Sequence, residues 1–473
     1  MGNVLRLALL LVLLAKVYPS SCAYDFEHCK NAVKQWASSS VHSNSKDGHI
    51  LKDLLFFLHV PRTGGRTYFY CFLKKLYSSA LECPRSYDKL RFDPRKPKCR
   101  LLATHDDYSI MSKLPREKAS VVTILRNPID RVFSAYEFSI EVAARFLVHS
   151  NLTSATKTLG HLRLKKGVIS TLEIWPWKYL VPWMMEELFA RQDVRKRKGP
   201  PYAYGNDSYN MEEIVVPLHE FINHPVALDI IHNGATFQVA GLTNNSNIWA
   251  AHEVRHCVMT YQTLGKYVLE VAKKRLDDML YVGLTEDHRG SATMFANLVG
   301  GQVISQLVAS NPGTGTVNYN KSEQDSLFSK ARFGTSHDQM AVEKLTEAYE
   351  TCISKLRSSQ SKRRINSLRR ISPANFTKEA RRHVSEAVLK QITLLNSLDI
   401  ELYKHAQKIF KRQQHVMEQK LLNSATPERW QMMNGENYIG SAWEIPCLFM
   451  FIFIVVFICQ YENAKRRTSK LKI

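Results

Sequence analysis

The sequence has too few acidic residues to balance its basic ones, and it lacks several patterns that define common protein classes. Asp and Glu total 43 against 65 Lys and Arg, a formal net charge of +22, so the surface should attract polyanions such as acidic peptides, nucleic acid or anionic lipid. No Cys-x-x-Cys spacing is present, and we predict no metal site. There is no internal repeat. With 473 residues and 45% hydrophobic content, the chain is not disordered and can bury the core of one large domain or two ordinary ones.

A turn rich in glycine and arginine is the most informative stretch that is present. Residues His59–Thr67 follow an apolar run, Leu54–Leu58, and precede a helix-like segment, Tyr68–Tyr77. A strand, a glycine turn and a helix start form a phosphate cradle, because backbone N–H groups at the helix start point towards an anion. An ordinary strand-to-helix turn is the alternative, and the loop has no Gly-Lys pair, which excludes the nucleotide-triphosphatase pattern. The predicted anion contacts are Arg62, Thr63, Gly64, Gly65, Arg66 and Thr67.

A second candidate anion site follows the next predicted strand, Ser120–Leu125. Arg126 stands at its end, Ser134 comes roughly two helical turns later, and the pattern is helical as far as Leu147. A third strand is predicted over Leu280–Leu284. Strands that alternate with helices favour an α/β fold with a parallel sheet, whose ligands bind at the carboxyl ends of the strands. Arg126 could equally cap the helix; together with the first loop, it suggests a nucleotide that carries phosphates at two ends.

Both ends of the chain resemble targeting segments. Residues 1–23 combine Arg6, a short apolar core and a small-residue exit, which is typical of a cleaved signal peptide; an uncleaved anchor is the alternative. Residues 442–461 are apolar with aromatic borders, and the tail, 462–473, is basic. We predict a type I membrane protein with a lumenal body, a stem at 423–441, one transmembrane helix and a cytosolic tail; a buried core helix is the alternative for the apolar run.

Cysteines and glycosylation sequons agree with a lumenal body. Outside the predicted signal and span, six cysteines remain, so up to three disulfides are possible, with fifteen possible pairings. Because the body of the protein is predicted to be lumenal, nucleic acid is not an expected partner. The sequons, each a weak signal alone, are Asn151, Asn206, Asn244, Asn320 and Asn375.

Other segments bear on the organisation of the lumenal domain, predicted over 54–422 after a lead-in at 24–53. An aromatic patch, Trp175–Trp183, is expected to belong to the core or to cover a loop rather than to bind a ligand. Residues 310–340 are predicted to be a loop insert. Helical character is expected from Met340, with a break at the basic stretch Lys362–Arg370 and Pro373 and a return at Lys378–Leu422.

The two anion segments resemble those of sulfotransferases that use 3′-phosphoadenosine 5′-phosphosulfate (PAPS). In particular they are similar to the heparan sulfate 6-O-sulfotransferase branch, whose loop reads His-x-x-Lys-Thr-Gly-Gly-x-Thr and whose second site reads Leu-Arg-x-Pro-x-x-Arg-x-x-Ser. Further similar runs are Leu102–Tyr108, Val282–Glu286 and Leu395–Tyr403, within residues 54–412. Over its whole length the chain resembles the related plant-type tyrosylprotein sulfotransferases, which are type I Golgi membrane enzymes. The resemblance implies a sulfotransferase-like P-loop fold.

The resemblance also implies roles for particular residues. The first loop would hold the 5′-phosphosulfate, and Arg126 and Ser134 would hold the 3′-phosphate. His105 matches the histidine base of the related branch, with Asp106 and Asp107 as alternatives or as groups that orient it. Arg62 replaces the family lysine; its guanidinium is too basic to donate a proton, so its catalytic role would be electrostatic. Sulfuryl transfer needs no metal.

The acceptor is the least determined part of the sequence-based hypothesis. A basic segment before His105 would suit acidic residues around a target tyrosine or a heparan-type glycan, and it could also be a solvated loop. The resemblance to the plant-type enzymes implies a protein-tyrosine sulfotransferase that acts on acidic tyrosine-containing peptides. The alternatives are a glycosaminoglycan O-sulfotransferase and a catalytically silent, polyanion-binding single-span receptor. The candidate substrate contacts are Lys89, Arg91, Arg95 and Arg100.

Overall fold

A parallel sheet of four strands lies at the centre of the computed structural model, with strand order β2-β1-β3-β4. The strands are β1 Leu54–Leu58, β2 Leu101–Thr104, β3 Ala119–Leu125 and β4 Tyr281–Leu284. Leu58 pairs with Thr104 of β2 and with Thr123 of β3, and Leu125 pairs with Leu284 of β4. Every strand residue is buried, as expected for a parallel sheet that is covered on both faces.

The structure describes residues 25–40, 50–78, 80–83, 99–147, 172, 174–198, 209–309, 335–371 and 376–424. The chain divides into a unit that extends to Gln414 and a second that begins at His415. The predicted signal peptide, transmembrane segment and cytosolic tail all lie outside the described residues, as do most of the predicted stem and of the loop insert.

Seventeen α-helices accompany the sheet in the described ranges, and two short π-helices, Phe69–Leu73 and Ala296–Gly300, continue helical stretches. The α-helices are α1 Phe26–Ser40, α2 Gly65–Tyr68, α3 Lys74–Leu76, α4 Pro128–Phe146, α5 Trp177–Ala190, α6 Gln192–Lys198, α7 Leu218–Phe221, α8 Leu228–Ile231, α9 Gly234–Val239, α10 Ala251–Thr260, α11 Gly265–Asp277, α12 His288–Phe295, α13 Gly301–Ala309, α14 Thr335–Ile371, α15 Lys378–Arg382, α16 Glu386–Leu395 and α17 Ser397–Ser424. The first π-helix joins α2 and α3 into one helical stretch.

The strand order places a topological switch point beside β1. Chain order runs from β1 to β2 on one side and then to β3 on the other, so the loops after β1 and β3 diverge at the carboxyl edge of the sheet. Ligands of open α/β sheets bind in that crevice. The three strands and the parallel sheet expected from the sequence are confirmed, and β2 is an additional strand that the sequence did not reveal.

The aromatic patch belongs to the core. Trp175 and Trp177 are buried, and Trp177 joins a large apolar cluster in which α4 packs against α5. Trp183 packs against the edge of the same cluster and stacks on His224. This confirms the core interpretation and fixes α4, the helix that follows Arg126, against a broad apolar surface.

The six cysteines outside the predicted signal and span form three disulfides. Cys29 pairs with Cys257, joining α1 to α10, and Cys71 pairs with Cys352, joining the helix after the first loop to α14. Cys83 pairs with Cys99 and thereby brackets most of the basic segment. Each cross-link limits how far apart the two elements that it joins can move.

The predicted helix break is wrong over the basic stretch Lys362–Arg370, which is helical, whereas the helix does end just before Pro373 and helical structure resumes at Lys378. Helix α14 continues through these residues and ends at Ile371, two residues before Pro373; it begins at Thr335, inside the region expected to be a loop. Lysine and arginine are good helix formers, and only the proline disfavours helical backbone before it. Within the described part of the chain, none of the helices is both long and apolar enough to cross a membrane.

Candidate active site

The loop after β1 has a constrained backbone. Arg62 has a φ of 69° and Gly64 a φ of 81°, both in the left-handed region that non-glycine residues rarely occupy. The buried Thr63 hydroxyl donates to the Val60 carbonyl at 2.9 Å, and the Thr67 N–H donates to the Gly64 carbonyl at 2.9 Å. The positive φ of an arginine in this loop is the kind of constraint that accumulates at functional sites.

Gly65 is required by the histidine that opens the loop. A Cβ atom at Gly65 would collide with the imidazole ring of His59, which is itself buried. The first residue of α2 therefore approaches the His59 ring closely. Gly64 and Arg66, the neighbours of Gly65, are exposed. At the helix start, Gly65 is therefore buried against His59, while the Arg66 side chain is exposed to solvent.

The segment after β3 contacts this loop directly. Arg126 donates through Nη1 to the Arg62 carbonyl at 3.3 Å, and burial lowers the pKa of its guanidinium. Its Nε atom is buried without a hydrogen-bond partner among the described residues, which suits a group that awaits an anion. Asn127, whose side chain accepts from the N–H groups of Ile129 and Asp130, caps α4. The alternative of Arg126 as the helix cap is therefore excluded.

Arg62 links the two predicted anion sites. Its Nε donates to the hydroxyl of Ser134 on α4 at 3.0 Å, and its guanidinium lies 4.2 Å from the centre of the Phe138 ring. Ser134 is buried. The hydrogen bond and the cation–π contact hold the guanidinium between the first loop and α4, so the predicted 5′ and 3′ ends of the site are joined through one side chain.

His105, the predicted base, lies at the end of β2 beside a second histidine. Its ring centre is 4.1 Å from that of His59, and both residues are buried. Burial, followed by the nearby Arg62 charge, lowers the pKa of His105 to about 3. Burial, His105 and then Arg62 and Arg66 hold the pKa of His59 well below its usual value. Both rings are therefore neutral near pH 7.

The two aspartates after His105 act as local caps. Asp107 accepts from the N–H and hydroxyl groups of both Ser109 and Thr243. Burial raises the pKa of its carboxyl, and these hydrogen bonds oppose the rise. Asp106 accepts from the Thr104 hydroxyl at 3.0 Å and from the Asn245 side-chain amide. Their carboxylates thus hold the chain around His105, which supports His105 rather than either aspartate as the proton acceptor.

Thr285 and Glu286, which received no role from the sequence, complete the wall of the site. The Thr285 hydroxyl donates to the carbonyl of Thr63 at 2.7 Å and to that of Leu125 at 3.0 Å. Glu286 accepts from the Asn127 N–H at 2.9 Å and from the Tyr403 hydroxyl at 2.6 Å. Both lie in Val282–Glu286, one of the runs similar to the sulfotransferases. The similarity marked these positions, but it did not indicate what the two side chains do.

Other predicted residues are placed only in part. Arg100 is half-buried at the start of the edge strand, and its carbonyl accepts from the Leu55 N–H at 2.8 Å. Asn244 is exposed, as a glycosylation site requires. The positions outside the described residues are Lys89, Arg91, Arg95, Asn151, Asn206, Asn320 and Asn375.

The sequence contains one His-x-x-x-His spacing of the kind found in zinc sites, on α10. His252 and His256 stand four residues apart and exposed on α10, while Glu253 between them bonds to His28 at 2.8 Å. Zinc sites built on a His-x-x-x-His pair recruit a third protein ligand. Across the described ranges, no group of three or more His, Cys, Asp and Glu side chains is placed to hold a metal ion.

The neutral buried His105 predicts a loss of stability on acidification. Its folded-state pKa of about 3 lies below the unfolded value near 6.5. Unfolded chains therefore take up a proton as the pH falls from about 6.5, whereas the folded chain does not, and the free energy of unfolding falls by up to ~1.4 kcal/mol per pH unit for this group.

Denaturant titrations at several pH values should show a free energy of unfolding that depends less on pH for His105→Gln than for wild type. The exposed His219→Gln serves as the control, and equal slopes for wild type and His105→Gln would contradict the burial effect.

These features define a class of protein before any relative is considered. A parallel sheet with an arginine-bearing anion loop at its switch point, a second cation after the neighbouring strand and a buried histidine beside both is typical of an α/β transferase that acts on a phosphorylated donor.

Comparison with known proteins makes the assignment specific. A scan against protein-family models gave no match. The chain is 54% identical to the protein-tyrosine sulfotransferase of Arabidopsis thaliana, in an alignment over 501 positions that covers 100% of both chains. The chain belongs to the protein-tyrosine sulfotransferase family, which confirms the resemblance found in the sequence.

Proposed function

We propose that the protein transfers the sulfuryl group of PAPS to tyrosine hydroxyls of secreted peptides and proteins. The observation that carries the proposal is the position of Arg62, which bonds to Ser134 at 3.0 Å and whose charge, after the larger effect of burial, lowers the pKa of His105. One permanent cation thus lies between the second anion site and a neutral histidine. The full-length relationship to a protein-tyrosine sulfotransferase supports the same reaction.

The donor is assigned to the crevice beside β1. Backbone N–H groups of Gly64 to Arg66 and the Thr67 hydroxyl would hold the 5′-phosphosulfate at the helix start, while Arg126 and Ser134 would hold the 3′-phosphate. The buried Nε of Arg126 fits this use, because an anion would satisfy it. PAPS supplies an activated sulfuryl group, and the chain supplies its orientation and charge neutralisation.

His105 is assigned as the group that accepts the phenolic proton. In the transfer, a bond forms between the tyrosine oxygen and sulfur, the bond between sulfur and the bridging phosphate oxygen breaks, and the proton passes to the His105 ring. An imidazole with a pKa of about 3 is a weak base for a phenol of pKa about 10. Negative charge on the donor opposes the field of Arg62 and so raises the basicity of His105 when the crevice is filled. Arg62 stabilises charge on the departing phosphate without donating a proton.

The acceptor is assigned as an acidic, tyrosine-containing segment. The basic residues between Cys83 and Arg100, including Lys89, Arg91 and Arg95, are the proposed contacts for acidic side chains next to the target tyrosine. The Cys83–Cys99 disulfide closes this segment, and Arg100 leads directly into β2 and His105. The basic segment is therefore tied by covalent structure to the strand that carries the proposed base.

The proposed setting is the Golgi lumen. A signal peptide at 1–23, a transmembrane helix at 442–461 and the basic tail would leave the catalytic domain, residues 54–422, on the lumenal side as a type I membrane protein. Exposure of the Asn244 sequon supports contact with the glycosylation machinery. Protease protection of intact Golgi vesicles tests the topology: cleavage of the domain in unopened vesicles would contradict it.

An acceptor competition tests the function. Purified full-length protein is incubated with labelled PAPS and an acidic tyrosine peptide, its phenylalanine counterpart or desulfated heparan. We expect label on the tyrosine peptide alone. Label on the glycan alone would establish the glycosaminoglycan enzyme instead, and no label on any acceptor would favour the silent polyanion-binding receptor.

A further inference from the structure

Gln238 makes an unusual set of contacts beneath the candidate active site. It lies on α9 with no solvent exposure, and its side-chain nitrogen is within hydrogen-bonding distance of three backbone carbonyls. The distances are 3.2 Å to His59, 2.8 Å to His105 and 3.2 Å to Asp106. One buried amide therefore connects the residues that follow two neighbouring parallel strands.

Two of these three carbonyls belong to the histidines whose rings lie side by side in the site, and the third belongs to Asp106. The rings of His59 and His105 have centres 4.1 Å apart, and ring position follows from backbone position when both residues are buried. A primary amide has two N–H donors, which point in fixed directions from a planar group. Gln238 thus restrains how far apart the backbones of His59 and His105 can move.

Helix α9 is itself anchored to the other half of the site. Asp399 accepts from the N–H groups of Ala235 at 3.2 Å and Thr236 at 2.7 Å. The same carboxylate pairs with Arg131 of α4 at 2.7 Å, one turn before Ser134, and both charged groups are buried. The start of α9 is therefore fixed to the helix of the second anion site, and its end holds the two histidines.

The chain beyond α9 continues along the segment that carries His105. Gly241, with a φ of 65°, lies against the backbone of Ser109, where a Cβ would be only 2.8 Å from its nitrogen. Thr243 then bonds to Asp107, and Asn245 to Asp106. The chain from Gln238 to Asn245 therefore contacts the segment that carries His105 along its length. Gln238 makes the contacts to the two histidines.

We propose that Gln238 is a positioning residue, which holds His59 and His105 in register so that the His105 ring meets the acceptor oxygen. The inference rests on the proposed function of the site. The hydrogen bonds of its amide nitrogen go to the carbonyls of His59, His105 and Asp106, which are not among the groups assigned to the donor: Arg62, Thr63, Gly64 to Thr67, Arg126 and Ser134. Its loss should therefore lower the rate of transfer without weakening nucleotide binding.

The variant Gln238→Met tests this, because methionine keeps the length of the side chain and removes both donors. Since a misplacement of about 1 Å can cost 10²-fold, we expect kcat to fall by about 10–100-fold. The KM for PAPS and the calorimetric affinity for the product nucleotide, 3′-phosphoadenosine 5′-phosphate (PAP), should stay within about twofold of wild type. A merely structural loss would lower the fraction of active protein and leave the kcat of the folded fraction, titrated with PAP, unchanged.

Gln413→Met is the matched control. Gln413 is a buried glutamine on α17 whose side chain accepts from the Val282 N–H in the middle of β4, away from the histidines. The Gln413→Met variant should keep wild-type kcat.

If Gln238→Met does not fold, Gln238→Asn decides the question, because asparagine keeps the amide group on a side chain that is shorter by one methylene. A wild-type kcat in the folded Gln238 variant, or an equal fall in Gln413→Met, would overturn the inference. A wild-type chain that sulfates no tyrosine would instead contradict the proposed function.

Discussion

Replacing His105 by alanine is expected to lower kcat for tyrosine sulfation by about 10²–10⁴-fold, the range for loss of a positioned general base. PAP should still bind, because the groups assigned to the nucleotide, Arg62, Arg126 and Ser134, remain. Steady-state kinetics with an acidic tyrosine peptide and calorimetry with PAP measure the two quantities separately.

His224→Ala provides the control for loss of a packed histidine. His224 stacks on Trp183 with ring centres 4.0 Å apart, at the edge of the large apolar cluster rather than at the ends of the strands. We expect it to affect stability and not kcat. Near-wild-type activity of His105→Ala would show that another group accepts the proton, and the adjacent His59 would become the first candidate.

Replacing Arg62 by alanine is the second change with a large expected effect. Removal of one preorganised group that stabilises developing negative charge typically costs about 10²–10³ in kcat. Alanine and arginine both carry a Cβ atom, so the left-handed backbone at Arg62 is no more strained in the variant. The loss is therefore attributable to the guanidinium and its bond to Ser134.

Arg62→Lys should recover most of this activity, because lysine is the residue found at this position in the resembling sulfotransferase loop and also provides a cation. We expect kcat within about tenfold of wild type, since a point charge replaces a planar fork. Arg145→Ala, which removes an arginine that pairs with Glu141 on α4, should leave kcat unchanged. If Arg62→Lys were as inactive as Arg62→Ala, charge alone would not explain the role of this residue.

The sheet was predictable where strands are long and apolar. Leu54–Leu58 and Ala119–Leu125 stand out as hydrophobic runs, and both are central strands. Strand β2 has only four residues between a basic segment and an acidic turn, so no pattern distinguishes it. It forms because its backbone completes the hydrogen bonding of β1, which is a property of the assembled sheet.

The site was predictable where its chemistry is local. The loop residues and Arg126 follow strands directly, so their meeting at one edge of the sheet follows from parallel topology. The contact between Arg62 and Ser134 joins residues 72 positions apart, and Gln238 reaches carbonyls more than 130 residues away. Contacts to backbone carbonyls impose no residue type on the partner and therefore leave no motif in the sequence.

The most direct test of the account is a crystal structure of the protein with PAP and an acidic tyrosine peptide. We expect the 5′-phosphate at the backbone N–H groups of Gly64 to Arg66, the 3′-phosphate at Arg126 and Ser134, and the tyrosine oxygen within about 3.2 Å of the His105 ring. A nucleotide bound away from the loop after β1, or a tyrosine oxygen held by a group other than His105, would contradict the account.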